Sequence, residues 1–190
     1  MAVARRHAAD DRPRDIAVVK RIHYRWTDLF GLVLDLERFP DFVPHCRAVK
    51  VYSRTVTDDG RTIIVSRMTV GVAGIHVSYA NRTTGDHAAR RIEVKALDGP
   101  LRRLDVLWTF EPDGEDWTRV GFSVDYAFNS AILAALASRA FDAMFRQILI
   151  AFERRAQRLF GRSAPGKPAL VASALDNSLR RSREGRGPRP

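Results

Sequence analysis

The stretch from Asn129 to Phe160 contains neither glycine nor proline, and it closes at Gly161 with Pro165 beyond. A run free of both residues and ended by both predicts one continuous helix, roughly 45 Å long at about 1.5 Å per residue. Asn129 and Ser130 stand at its start as candidate caps for orphan amides. Phe141, Phe145, Ile148, Phe152, Ala156 and Leu159 step by three or four residues, with Met144 and Leu149 beside them. That spacing lays one apolar stripe along the helix. Asp142, Arg146, Glu153, Arg154, Gln157 and Arg158 fall mostly on the other side. Such a stripe requires a broad apolar surface to cover it.

The preceding chain is built to supply that surface. Strand-like segments run from Ala48 to Val56, Thr62 to Val70, Ile75 to Thr84, Arg91 to Leu97, Arg103 to Glu111 and Trp117 to Phe128. Turn chemistry separates them at Asp58-Asp59-Gly60, Gly71 to Gly74, Gly85-Asp86, Asp98-Gly99-Pro100 and Pro112-Asp113-Gly114. Connections this short imply antiparallel hairpins. The last three segments alternate cleanly, with Ile92/Val94/Ala96, Leu104/Val106/Trp108/Phe110 and Val120/Phe122/Val124/Tyr126/Phe128 on one phase. One face is therefore covered and the other meets water.

Before the sheet, Ile16 to Tyr24 reads as a strand, and Thr27 stands as the cap of a short helix from Asp28 to about Leu36. Pro40 and Pro44 forbid a continuous helix through the next segment, which predicts a compact, partly helical connection. The expected fold is α+β: a curved antiparallel sheet of about seven strands gripping a long C-terminal helix, with two short helices after the first strand.

Charge divides the chain further. The net charge is +10, and about half of it lies in residues 161–190, which are rich in Pro, Gly and Arg. That segment is too poor in apolar residues to fold alone and predicts a disordered basic tail, a surface for transient contact with RNA, a ribosome or an anionic membrane. Residues 1–15 mix arginines with Asp10, Asp11 and Asp15, unlike a transit peptide, and read as a disordered leader to a domain spanning 16–160. A single cysteine, Cys46, fits a reducing, cytoplasmic setting, and no segment reads as a membrane span.

Catalytic signatures are absent from the sequence. His7, His23, His45, His76 and His87 show no metal-ligand spacing, and there is no P-loop, dinucleotide fingerprint or G-x-S-x-G. His45 and Cys46 are adjacent, which on an extended segment points their side chains apart. Arg67 lies on a strand of ambiguous phase, a solvated charge if outward and a headgroup ligand if inward. A curved sheet across a long helix leaves a natural gap for an apolar ligand. The side chains available to line it, or to fill it themselves, are Phe39, Phe42, Met68, Ile75, Tyr79, Trp108, Phe122, Tyr126, Phe141, Met144, Phe145 and Ile148.

Four stretches, in this order and spacing, carry a resemblance. They are Leu36-Glu37-Arg38-Phe39-Pro40-Asp41-Phe42-Val43-Pro44-His45-Cys46, Val70-Gly71-Val72-Ala73-Gly74-Ile75, Leu97-Asp98-Gly99-Pro100-Leu101 with Leu104 and Trp108-Thr109-Phe110, and Ala151-Phe152-Glu153-Arg154-Arg155-Ala156. The chain resembles the START-like helix-grip (SRPBCC) superfamily, and within it the coenzyme-Q-binding, polyketide cyclase/dehydrase-like branch that includes bacterial ribosome association toxins. His45, Leu101 and Asp105 stand where the family pattern favours Trp, Phe and a small residue. The resemblance implies non-enzymatic binding of an isoprenoid quinone such as ubiquinone, supporting respiration at or near the inner membrane. It implies no metal and no catalytic cofactor. Its alternative implication is a ribosome-binding protein that interferes with subunit association.

Overall fold

The computed structural model describes residues 14–72 and 74–161, and within them the side chains other than those of 14, 15, 72, 75 and 131–140. The expected leader and tail therefore lie outside the described residues, apart from residues 14, 15 and 161.

Seven strands form one antiparallel sheet: β1 (Arg14–Ile22), β2 (Cys46–Val56), β3 (Thr62–Val72), β4 (Ile75–Asp86), β5 (Arg91–Ala96), β6 (Leu101–Pro112) and β7 (Thr118–Phe128). Their order is β1-β7-β6-β5-β4-β3-β2, so every hairpin pairs with its neighbour and β1 crosses over to close onto β7. Register shifts at Cys46/Ala48 and Val51/Ser53 in β2, and at Leu101/Arg103 in β6, add the local twist that a curved sheet needs. In β7 the alternation is complete: Thr118, Val120, Phe122, Val124, Tyr126 and Phe128 are buried, and the residues between them are not. In β3 the inward set is Ile64, Ser66 and Val70 with Met68 half-buried. Arg67 is thus outward, where its guanidinium meets Asp98 and the Tyr52 hydroxyl.

Helix α1 (Trp26–Leu34) starts two residues before the expected Asp28, with Arg25 in place of Thr27 at the cap position. The Arg25 carbonyl accepts from the amides of Asp28 and Leu29, and no side chain caps the end. Packing decides the start here: Trp26 sits edge-on to Phe30 at 6.0 Å and against His87 at 4.5 Å. The helix stops at Leu34, and a 3₁₀ turn over Leu36–Asp41 takes Pro40 inside it and buries Leu36 and Phe39. Gly85 on β4 lets α1 approach closely, since a Cβ there would stand 3.1 Å from the Leu34 methyls and 3.3 Å from Phe30.

Helix α2 (Ala131–Phe160) lies across the concave face, burying Phe141, Met144, Phe145, Leu149, Phe152 and Ala156. Leu159 does not join them and is 50% exposed. Gly161 then leaves the helix with φ of +85°, and its carbonyl accepts from the Tyr24 hydroxyl at 2.7 Å. Asn129 donates from its Nδ2 to the Gly99 carbonyl at 3.0 Å and from its amide to the Pro100 carbonyl at 2.8 Å, which ties the helix entrance to the β5–β6 turn. Lys20 and Glu153 form a half-buried ion pair between β1 and α2.

Candidate ligand cavity

A cavity of about 80 Å³ lies between the concave sheet and α2. Its floor is Met68 of β3, Tyr79, Asn81 and Thr83 of β4, Val94 of β5, Leu104, Val106 and Trp108 of β6 and Phe122 of β7. Phe145, Ile148 and Phe152 of α2 form the roof, and Leu36, Phe39 and Val43 close one side. Small-molecule sites commonly occupy about 300–1,000 Å³, so the large side chains fill most of the gap and leave room for one small ring or headgroup.

The residues nominated from sequence divide into four groups. Phe39, Met68, Tyr79, Trp108, Phe122, Phe145 and Ile148 line the cavity. Tyr126, Phe141 and Met144 are buried one layer further along α2, where Tyr126 meets Phe141 at 5.9 Å and Phe145 at 5.3 Å. There the Tyr126 hydroxyl donates to Asp142 at 2.8 Å and so serves the helix rather than the cavity. Phe42 sits outside it, against Phe39 and Phe152. Ile75 opens β4, and its side chain lies outside what is described. Phe152 was readable as the next residue on the helix stripe, and Leu104, Val106 and Val94 shared the phase of Trp108. Asn81 and Thr83 share the phase of Tyr79, but their polarity disguised them as outward residues.

Behind the cavity, across the seam between the 3₁₀ turn and α2, lies an open groove of about 300 Å³. Phe42, Pro44, Gln147, Ile150, Ala151, Arg154 and Arg158 line it. The barrier between groove and cavity is aromatic: Phe152 stands 5.3 Å from Phe39, 5.0 Å from Phe42 and 4.9 Å from Trp108.

Burial keeps the cavity's chemistry neutral. Among the described residues, no charged side chain lines it. Burial also raises the Tyr79 pKa well above its usual value, so the group stays a phenol. Tyr79 is held in place by the turn after β5. The Ala80 amide donates to Asp98, which also takes the Arg67 guanidinium, and these contacts lower the Asp98 pKa. The turn's Gly99, at φ of +102°, packs directly on Tyr79.

His45 and Cys46 do point apart. His45 is exposed with φ of +63°, and its carbonyl accepts from the Gly71 amide at 2.9 Å. Cys46 is buried, and desolvation pushes its thiol from 9.0 up to about 11. A protonated, enclosed thiol is a poor nucleophile. Two results follow for the folded protein. Alkylation of Cys46 by iodoacetamide at pH 8.5 should be far slower than in urea. Between pH 9 and about 11 the unfolded thiol ionises while the folded one keeps its proton, so stability should fall as pH rises through that window. Cys46→Ala should remove that part of the alkaline loss, as read by urea melts at pH 8 and pH 10.5.

With the geometry in hand, comparison with known proteins is decisive on one point. Residues 22–153 match the family described as "Polyketide cyclase / dehydrase and lipid transport". The chain belongs to this family. It is 27% identical over 143 residues to the ribosome association toxin RatA of Rickettsia prowazekii, covering 74% of this chain and 94% of that one. It is 29% identical over 173 residues to the mitochondrial coenzyme Q-binding protein COQ10 homolog B of Xenopus laevis, covering 85% of this chain and 67% of that one. Among solved structures, the 18 kDa protein CC1736 of Caulobacter crescentus superposes with a TM-score of 0.64 at 34% identity, covering 78% of this chain and 99% of that one. The seven-stranded sheet, the two short helices after β1 and the long closing helix are the START-like helix-grip arrangement.

Proposed function

We propose that this protein binds an isoprenoid quinone of the ubiquinone type without transforming it, and shelters or carries it in support of respiratory electron transport. The observation that carries the reading is the cavity under α2, whose described lining is apolar apart from the neutral side chains of Tyr79, Asn81 and Thr83. Among the described residues it offers no charged acid or base for proton transfer, which suits holding a ring rather than reacting with it. The relative named for coenzyme Q binding supports the ligand class. Burial of a lipid tail contributes roughly 0.8 kcal/mol per methylene, so shelter alone supplies affinity. Because the cavity is small, loading requires the 3₁₀ turn and α2 to part at the Phe39/Phe42/Phe152 seam, joining cavity to groove. Arg154 and Arg158 at the groove would meet an anionic membrane surface during transfer.

The relative named as a ribosome association toxin favours a second reading, binding to a ribosomal subunit. One experiment separates them. Decylubiquinone added to detergent-free protein should quench tryptophan fluorescence saturably, and Trp108→Phe should remove most of that quenching. No saturable quenching, together with co-sedimentation with ribosomal subunits at physiological salt, would replace the first reading with the second.

A further inference from the structure

We propose that Asn81 is an inward hydrogen-bond donor to the ligand, and that the ligand enters with a neutral carbonyl oxygen foremost, its apolar tail trailing through the seam. This rests on the lipid-binding reading and adds an orientation to it. Asn81 is 1% exposed and lines the cavity. Its Oδ1 accepts from the Ser66 hydroxyl at 3.1 Å and from the Thr83 hydroxyl at 3.4 Å. Its Nδ2 is buried with no hydrogen-bond partner in the protein. Leaving such a buried donor unpaired is unfavourable, and an apolar residue of the same shape would avoid the loss. In this orientation two hydroxyls occupy the amide's acceptor end, and its donor end is left for a guest.

The neighbourhood selects the chemistry of that guest. Tyr79 precedes Asn81 by two residues on the same face of β4, and pairs with Met68 in the register that sets Asn81 opposite Ser66. The Tyr79 hydroxyl donates to the Met68 sulfur at 3.3 Å, a weak acceptor that a carbonyl oxygen would displace. Both groups are neutral donors. A carboxylate or phosphate entering here would be buried without a counter-charge, which is strongly unfavourable. A carbonyl brings acceptor capacity and no charge. Trp108 and Phe122, 4.5 Å apart, provide aromatic wall for the ring that bears it. The cavity holds about 80 Å³, room for little beyond a bare ring, so the head enters as the seam parts and the tail has to lie toward Ile148 and the seam.

The test uses decylubiquinone carrying ¹³C-labelled carbonyls, with decylbenzene as a probe of similar tail but no acceptor. Infrared difference spectra of the wild-type complex should place a carbonyl band below its frequency in hexane. In Asn81→Leu that band should move back toward the hexane position and decylubiquinone affinity should fall about tenfold, while decylbenzene binds equally well to both proteins. An unshifted carbonyl band in the wild-type complex would overturn the assignment even if the variant failed to fold. So would full retention of decylubiquinone affinity by a folded Asn81→Leu. In both cases the lipid-binding reading would stand. If neither probe binds wild-type protein, that reading fails, and the orientation fails with it.

Discussion

Phe152→Ala should lower the stability of the folded chain by about 3–5 kcal/mol, the usual loss for a buried phenylalanine cut back to alanine. The value belongs at the upper end of that range for a geometric reason. Phe152 is 4% exposed and is the one ring in contact with Trp108 from the sheet and with both Phe39 and Phe42 from the segment around the 3₁₀ turn. Removing it strips three aromatic contacts together and opens the wall between the inner cavity and the outer groove, a space the rigid sheet cannot collapse to fill. Urea denaturation followed by circular dichroism would measure the loss. A rise in binding of a hydrophobic dye to the folded variant would report the joined cavity. Phe160→Ala is the matched control, since Phe160 is 46% exposed and its removal should shift stability by about 0.5 kcal/mol or less. A loss under about 1 kcal/mol for Phe152→Ala would mean that this ring does not hold the seam shut.

Gly99→Ala should cost about 2–3 kcal/mol although it adds only a methyl group. Gly99 has φ of +102°, a conformation that L residues avoid, and a Cβ there would stand 2.7 Å from the Tyr79 Cβ and 3.0 Å from the Ser78 carbonyl. Neither is the free end of a side chain, so the β5–β6 turn has to move off β4. That motion would loosen the Asp98 bond to the Ala80 amide and the Asn129 bonds that fix the entrance of α2. Gly60→Ala separates the two causes. Gly60 also has a positive φ, +78°, but nothing lies within 4 Å of its added Cβ. It should therefore show only the backbone strain, about 1–2 kcal/mol. Equal losses at both positions would show that the turn at Gly99 is not packed as described.

The architecture was legible because its signals were periodic. Alternation in β5, β6 and β7 and the three-four spacing along α2 are direct consequences of strand and helix geometry, and tertiary packing only confirmed them. The ends of elements were less legible. Thr27 looked like a helix cap, but Trp26 packing on Phe30 and His87 began the helix earlier, and nothing in the sequence near Asn129 showed that its Nδ2 donates to the Gly99 turn. Arg67 could not be phased from its neighbours because both faces of β3 carry apolar residues; Asp98, distant in sequence, decides it. The cavity was legible as a set of large side chains but not as a volume. Sequence names Phe145 and Trp108 without revealing how nearly they fill the space between them. Asn81 was hidden for a further reason. Its partners Ser66 and Thr83 are small polar residues on strands, a pattern that ordinarily marks a solvated face.

We propose that the space under α2 takes up a quinone. Native mass spectrometry of protein purified without detergent, with solvent extraction and an ultraviolet redox spectrum of the extract, tests it most directly. The account predicts a bound mass released on activation, an extract whose absorbance changes on borohydride reduction as a quinone's does, and weaker retention in Trp108→Ala. A clean unliganded mass, unchanged after incubation with ubiquinone and menaquinone analogues, would contradict it.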